Sequence, residues 1–566
     1  MSSFGERFLF FSTQPRSPIV VKRILKVVKK YKLNGKQYTN ELQKEFYKDY
    51  TIESPNKGGK SKDKELAGRQ LLTRAPQALG FLQVRTGKQL LITEAGEAFL
   101  DDNLYEDAIL HQMLKFQLPS PLHHESKKNK GFFKIKPFLE LTRLINTLGY
   151  LTYKELMIYG MMLTDYHNFD ATVDSIKSYR MRRKAAKGTE DLNKFDRAEQ
   201  LRVFKDKYSD ELAKGNYKTR ESVTDTAESY MNKKIDNWED YTDAIYRLLH
   251  ESGLFVATGF RTIRISDKRQ AEVNFILKNT PRDPIPESTP REEFDQYMFN
   301  PAIPKLLNDN KNSLEHYLDS IKVKYKSDSS LYSLKKKVNI YRTQKRKEVV
   351  SQIANQLKKR ETSDINDILN IYKTIQKRET KDAPTLMEWN TWRAVTMINH
   401  GDIHGNFVTD DQGTPLHTAG GGKGDIVGNY SNFNIIYEVT MSTGKTQYNM
   451  ESEPVTRHVG NLQKSSKIPT YGIFIAPKLN PEVINYFYVS ALAKSNTFGG
   501  KVGVIPLSLN DFITFYKGAA KKALSETDLK KLCDYSMNKA KENLLDDRTT
   551  EEWYKDVRHY VLTLAK

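Results

Sequence analysis

The chain has 566 residues, which at roughly 150 residues per domain means three or four domains and excludes a single-domain reading. Lys plus Arg is 90 against 70 for Asp plus Glu, and the resulting +20 charge favours a polyanionic partner such as nucleic acid, with an anionic membrane surface as the alternative. The single cysteine, Cys533, excludes disulfides and thiolate zinc fingers, no apolar run nears the ~18 residues of a membrane span, and the start lacks a signal-peptide core; a cytoplasmic protein is expected.

Val20, Val21, Ile24, Leu25 and Val28 recur at helical spacing up to Asn34-Gly35, and a second short helix is predicted from about Asn40 to Tyr47. A loop follows over 54–62. A third helix from about Lys64 carries Arg69, Gln70, Arg74 and Gln77, side chains able to read guanine and adenine edges. It leads into a hairpin over 80–93, turned at Thr86-Gly87 between Arg85 and Lys88, and Glu94 to Leu100 returns to helix. This order resembles a winged-helix module, in which the third helix enters the major groove and the hairpin touches the backbone.

The order begins again at Pro137. Phe138, Leu141, Leu144, Ile145 and Leu148 line a helix closed by Gly149, and Thr152 with Glu155 makes a capping box. A basic helix from about Asp170 carries Lys177, Arg180, Arg182, Arg183 and Lys184, the first four counted as DNA-binding candidates although a charge run is often only a solvated face. The second hairpin, over 254–265, comes after a charged helical insertion. Two winged-helix-like subdomains, 1–125 and 126–282, are therefore expected. Residues 283–380, polar and punctuated by Pro284, Pro286, Pro290, Pro301 and Pro304, read as a helical linker domain.

After Pro384 strands alternate with helices. Strands are predicted over 425–428, 434–440, 471–476 and 501–507, and helices around 386–397, 453–466, 481–494 and 510–517, a mixed α/β core over 381–566. Gly424-Asp425-Ile426-Val427 and Ile435-Ile436-Tyr437-Glu438-Val439-Thr440 each place a carboxylate among apolar strand residues. Acids are costly to bury unpaired, so two in adjacent strands most simply share a divalent cation. Glu388 and Glu451 are further candidates, and oxygen ligands fit Mg2+.

These residues resemble a PD-(D/E)xK nuclease core, and more closely the AlwI/BstNBI-like family of type IIS restriction and nicking endonucleases. The resemblance rests on Met387-Glu388-Trp389, Gly424 to Val427, Tyr437 to Thr440, Glu451 and Pro454-Val455-Thr456-Arg457-His458, and on the domain order. It implies a multidomain α+β protein whose C-terminal PD-(D/E)xK domain cuts double-stranded DNA outside a short asymmetric site. It also implies Asp425 and Glu438 as metal ligands, Glu388 as a further ligand or its support, and Glu451 and His458 in the same site. Thr440 stands where the general pattern carries a lysine, and Glu451 is expected to contribute in its place.

Glu451 and His458 share a helix face if the helix starts before Glu451; Pro454 at the first helical position would instead leave Glu451 in a loop. Lys423, Lys445 and Arg457 are spare cations nearby. Gly420 to Gly424 lacks the Ser or Thr and the upstream glycine of a nucleotide-binding loop, and His400 with His404 lacks the helix and the glutamate of a metalloprotease. The rival from another class is a winged-helix regulator with a ligand-sensing C-terminal domain. One PD-(D/E)xK site cuts one strand, so cutting both takes a second copy or a small partner subunit.

Overall fold

A computed structural model describes residues 6–53, 61–123, 131–188, 191–215, 217, 226–258, 261–377, 380, 383–398, 401–418 and 423–565. Outside it fall 54–60 of the predicted loop, His400, Gly420 to Gly422 and residues 259–260 of the second hairpin. The chain divides into two compact units, 1–345 and 346–566.

In the first unit α1 (Pro18–Lys30), α2 (Asn40–Glu53), α3 (Lys64–Thr73) and α4 (Ala75–Ala78) precede the hairpin of β1 (Leu82–Gln83) and β2 (Leu91–Ile92), then α5 (Glu94–Leu100) and α6 (Tyr105–Lys115). The third helix is broken rather than continuous. Pro76 cannot donate to the carbonyl one turn back, so the chain turns at Arg74 and Gln77 lies on a separate short helix.

The second pass runs through α7 (Pro137–Leu148), α8 (Tyr153–Ile158), α9 (Phe169–Ala186), α10 (Leu192–Lys207), α11 (Ser209–Ala213) and α12 (Ala227–Glu251). The antiparallel pair β3 (Phe255–Thr258) and β4 (Thr262–Ile265) follows. Thr152 and Glu155 form the expected capping box. The two passes share one hydrophobic core. Phe10 meets Phe133 at 5.3 Å between centroids, and Phe11 packs edge-on against Phe116 and Phe138, so residue 125 separates no cores.

The predicted linker is not one body either. α13 (Gln270–Asn279) precedes it; within it α14 (Arg291–Phe299) and α15 (Lys311–Ser320) belong to the first unit, and α17 (Thr362–Gln376) to the second. The division itself falls inside α16 (Leu331–Leu357), a 27-residue helix. The polar composition of 283–380 therefore marks the edges of two units, not a domain between them.

The second unit starts its α/β core with α18 (Ala383–Ile398). It continues through β5 (Asp402–Gly405), the small hairpin β6 (Phe407–Thr409) and β7 (Pro415–Thr418), then β8 (Ile426–Asn429), β9 (Asn434–Val439), α19 (Gly444–Ser466), β10 (Thr470–Ala476), α20 (Pro481–Leu492) and β11 (Val504–Ser508). The last helices are α21 (Leu509–Lys522), α22 (Glu526–Leu545) and α23 (Thr550–Leu564). The sheet order is β11-β10-β9-β8-β5, parallel from β11 to β9 and antiparallel from β9 to β5.

Strand β9 lies at the centre and is buried along its whole length, which is why its sequence reads as a nearly unbroken apolar run. Strand alternation sends Ile435, Tyr437 and Val439 into the core shared with α18, α21 and α23. Ile436 goes to the other face, into the core with Val455 and Val459 of α19. Glu438 has the same parity as Ile436, so the fold aims it at α19.

Candidate active site and nucleic-acid interface

β8 pairs with β9 through Ile426 opposite Tyr437, and continuing that register by one residue sets Asp425 opposite Glu438. The 13-residue spacing is thus the length of a tight antiparallel connection bringing two acids face to face. Asp425 Oδ2 accepts from the Val439 amide at 2.8 Å, and the Asp425 carbonyl accepts from Asn406 N at 2.7 Å, so both side chain and backbone are fixed. Gly424 is required for space: a Cβ there would lie 2.4 Å from Ile436 Cγ2 and 3.2 Å from Glu438 Oε1.

From the other side α19 delivers two more groups. It begins at Gly444 and carries Pro454 within it, so Glu451 lies on the helix, two turns before His458. His458 Nδ1 lies 2.7 Å from Glu438 Oε1, and the carboxylate accepts that proton when the tautomer is Nδ1–H. Glu451 Oε1 accepts from Thr440 Oγ1 at 2.7 Å and Ser442 Oγ at 3.0 Å. Glu388, half-buried on α18, is near enough to act on Glu438.

Among the described residues no lysine or arginine forms an ion pair with Asp425, Glu438 or Glu451. Desolvation pushes the Asp425 carboxyl well above its usual range and Glu438 adds to this, against the Val439 amide. Glu438 is raised in the same way, first by burial and then by Glu451 and Glu388, with only Arg457 opposing. Burial also raises Glu451, while the two hydroxyls act against it. His458 is lowered by burial and by Arg457, which favours the neutral ring. Arg457 itself is held by Glu453 at 3.0 Å, and Lys423 and Lys445 are exposed.

Among the described residues no three Asp, Glu, His or Cys side chains close into a metal cage. Magnesium does not need one, since it keeps several waters and takes only one or two protein carboxylates. Two opposed acids, both raised by burial and Asp425 further by Glu438, have the donor chemistry and the missing charge that such an ion would satisfy.

The predicted DNA-binding side chains are scattered. Arg69, Lys88 and Lys177 are exposed and Gln70 and Gln77 half-buried. Gln70 lines a cleft of about 510 Å³ with Gln14, Arg16, Tyr47 and Tyr50. Arg74 donates to Gln14 at 3.1 Å, and Arg85 pairs with Glu292 at 3.2 Å.

The arginines of α9 are committed inside the fold. Arg180 binds Glu155 at 2.8 Å and lies over the Tyr150 ring, Arg182 binds Glu199 at 2.6 Å, and Arg183 binds Asp196 at 2.8 Å. These three carboxylates are buried. For these three arginines to contact phosphate they would have to leave those ion pairs, although Glu199 is also held by Arg202 at 2.8 Å and Asp196 by the Tyr179 hydroxyl at 2.6 Å. Of the other features, His404 lies on exposed strand β5 beside Asp402, 2.7 Å away, not on a helix.

Sequence reasoning missed the hydroxyls of Thr440 and Ser442 and the buried amide of Gln447. Their signal was weak: a Thr-x-Ser spacing just past the strand, where only a lysine was sought.

The AlwI restriction endonuclease family matches residues 77–515, most of the chain and all of this site. The chain belongs to the AlwI restriction endonuclease family. It is a restriction endonuclease and binds DNA by that membership. No curated protein gives a match. Among solved structures, the small subunit of the heterodimeric restriction endonuclease R.BspD6I is 24% identical, covering 34% of this chain and 98% of that one, with a TM-score of 0.29. The BpuJ1 endonuclease binding domain, in complex with pyrene- and phenanthrene-modified DNA, is 10% identical over 52% of this chain and 98% of its own, with a TM-score of 0.31. No helix among the described residues is long and apolar enough to cross a membrane.

Proposed function

We propose that the protein is a type IIS endonuclease: its first unit, with two winged-helix-like passes, binds a short asymmetric DNA site, and its second unit hydrolyses phosphodiester bonds a few base pairs outside it. The observation that carries this is the convergence of three acids, Asp425 just before β8, Glu438 on β9 and Glu451 on α19, each raised by burial. A regulator's ligand-sensing domain gives no reason to bury like charges together.

Asp425 and Glu438 would hold Mg2+, with Glu388 supporting the latter. When bound, the ion supplies Lewis-acid polarisation and neutralises charge on the scissile phosphate. The chain's own residues do the rest. The Val439 amide fixes Asp425, and His458 orients Glu438 through Nδ1. Glu451, raised toward neutrality by burial, is suited to take the proton of the attacking water. One such site cuts one strand; double-strand cleavage takes a second copy or a small partner subunit.

The test incubates the full chain with plasmid DNA and Mg2+ and sequences the products by run-off, which reads site, offset and strands cut. Asp425→Ala and Glu438→Ala should retain specific DNA binding and lose cleavage. Cleavage at the wild-type rate by both would overturn the assignment.

A further inference from the structure

The general PD-(D/E)xK pattern has a lysine at the position of Thr440. What stands there is a small hydrogen-bonded assembly. The Thr440 amide donates to the Ile475 carbonyl at 3.0 Å, so the residue continues the β9 ladder one step beyond the strand. Its hydroxyl lies 2.7 Å from Glu451 Oε1 and 2.8 Å from Ser442 Oγ, and Ser442 Oγ lies 3.0 Å from the same Glu451 oxygen. Ser442 N in turn donates to Thr440 Oγ1 at 3.0 Å.

Two hydroxyl protons thus serve three short oxygen contacts. Glu451 as a carboxylate can only accept, so whichever hydroxyl bonds the other, at least one proton is directed at Oε1. The turn that carries Ser442 is itself pinned. Fully buried Gln447 donates to the Ser442 carbonyl at 2.9 Å and to the Lys478 carbonyl at 2.8 Å, and accepts from the Asn480 amide at 2.7 Å. Nor are the hydroxyls spent on starting the helix, since Thr443 is the N-cap residue of α19 and makes no side-chain cap.

We infer that Thr440 and Ser442 are positioning residues that clamp Glu451 through Oε1 and leave Oε2 as the oxygen that meets the attacking water. The hydroxyl pair takes over, by way of a glutamate, the place of the absent lysine. This rests on the reading that Glu451 acts in cleavage.

The experiment measures single-turnover cleavage and DNA affinity of the full chain, with thermal unfolding as a control. Thr440→Val keeps the β-branched shape and removes the hydroxyl; Thr440→Ser keeps the hydroxyl and removes the methyl. Thr440→Val and Ser442→Ala should each slow cleavage about tenfold or more, the loss of one hydrogen bond to a charged group, with affinity within about twofold. Thr440→Ser should retain most of the rate. In a Glu451→Gln background Thr440→Val should cost nothing further, because residues acting through one another are not additive. The inference is overturned if the Thr440→Val, Ser442→Ala double variant cleaves at the wild-type rate while Glu451→Gln is impaired, if Thr440→Ser is as slow as Thr440→Val, or if the Thr440→Val loss multiplies onto that of Glu451→Gln. Should Thr440→Val fail to fold, Ser442→Ala alone and in the Glu451→Gln background gives the same comparison. A fully active Glu451→Gln overturns the role of Glu451 and the clamp with it.

Discussion

Two groups of buried acids in this chain have opposite surroundings. In the first unit, fully buried Asp243 receives Arg247 at 2.9 Å and Arg261 at 2.6 Å, and Arg261 is sandwiched between the rings of Tyr153 and Tyr246. Desolvation pushes Asp243 up, but the two arginines outweigh it and hold the carboxyl below its ordinary value. Glu272 is held down in the same way between Arg269 and Arg342. In the second unit Asp425, Glu438 and Glu451 face one another, and all three are raised. Arginine is supplied where an acid is architecture. Among the described residues no arginine pairs with the second group, which suits the proposed meeting with a cation and a phosphate, since a resident guanidinium would occupy the oxygens that the ligand needs.

Exchanging the acids should separate the two roles. Glu438→Gln should lower cleavage on the order of 10³-fold, because it removes charge where the metal and phosphate meet, yet leave the metal-free protein as stable as before or more so. Asp243→Ala should do the reverse, costing about 3 kcal/mol by removing the acid that holds buried Arg261 and half-buried Arg247, as seen in chemical denaturation, with activity intact wherever the chain stays folded. Equal stability losses in both variants would erase the distinction.

The pH response gives a smaller effect with a definite sign. A carboxyl raised in the folded state binds its proton more tightly there than in the unfolded chain, so stability falls as pH climbs above the ordinary 3.8 of Asp425 and 4.5 of Glu438. Asp243 and Glu272, lowered in the folded state, contribute stability that is full above those ordinary values and lost only in more acid solution. His458, lowered by burial, acts oppositely to the acids only below its ordinary 6.5. As pH rises above 4.5 in a chelator, hydrogen exchange corrected for intrinsic rates should therefore show β9 losing protection beyond what His458 offsets, and added Mg2+ should remove the trend. Protection of β9 that grows with pH would contradict the uncompensated charge.

How much of this was legible in the sequence follows from the same contrast. Asp425 and Glu438 stand out because an acid inside an apolar strand breaks a local rule, and β9 is buried on both faces, so its run is easy to read. The ion pairs of the α9 arginines are not legible because their partners are distant in sequence: Arg182 and Arg183 are met by Glu199 and Asp196 from α10, and Arg180 by Glu155 from α8. Composition reports a charge but not what neutralises it. The start of α19 was placed nine residues late because Pro454 reads as a first helical position, whereas the helix runs through it from Gly444. The prolines and polar residues of 283–380 describe the surfaces of α14 to α17 without saying which unit each packs on.

The smallest effects concern DNA. Each phosphate contact contributes about 0.9 to the slope of log affinity against log salt on duplex DNA. Lys88 and Lys177 are exposed, whereas Arg182 and Arg183 are spent on Glu199 and Asp196. Lys88→Ala and Lys177→Ala should each lower the slope by about one where the side chain meets a phosphate, with no change in sequence preference. The Arg182→Ala, Arg183→Ala pair should leave the slope unchanged and instead lower the stability of the first unit, because among the described residues buried Asp196 keeps only the Tyr179 hydroxyl and buried Glu199 loses one of its two arginines. A slope that drops by about two in the arginine pair, with stability unaltered, would return those side chains to the DNA and make the ion pairs of α9 a resting arrangement that the duplex displaces.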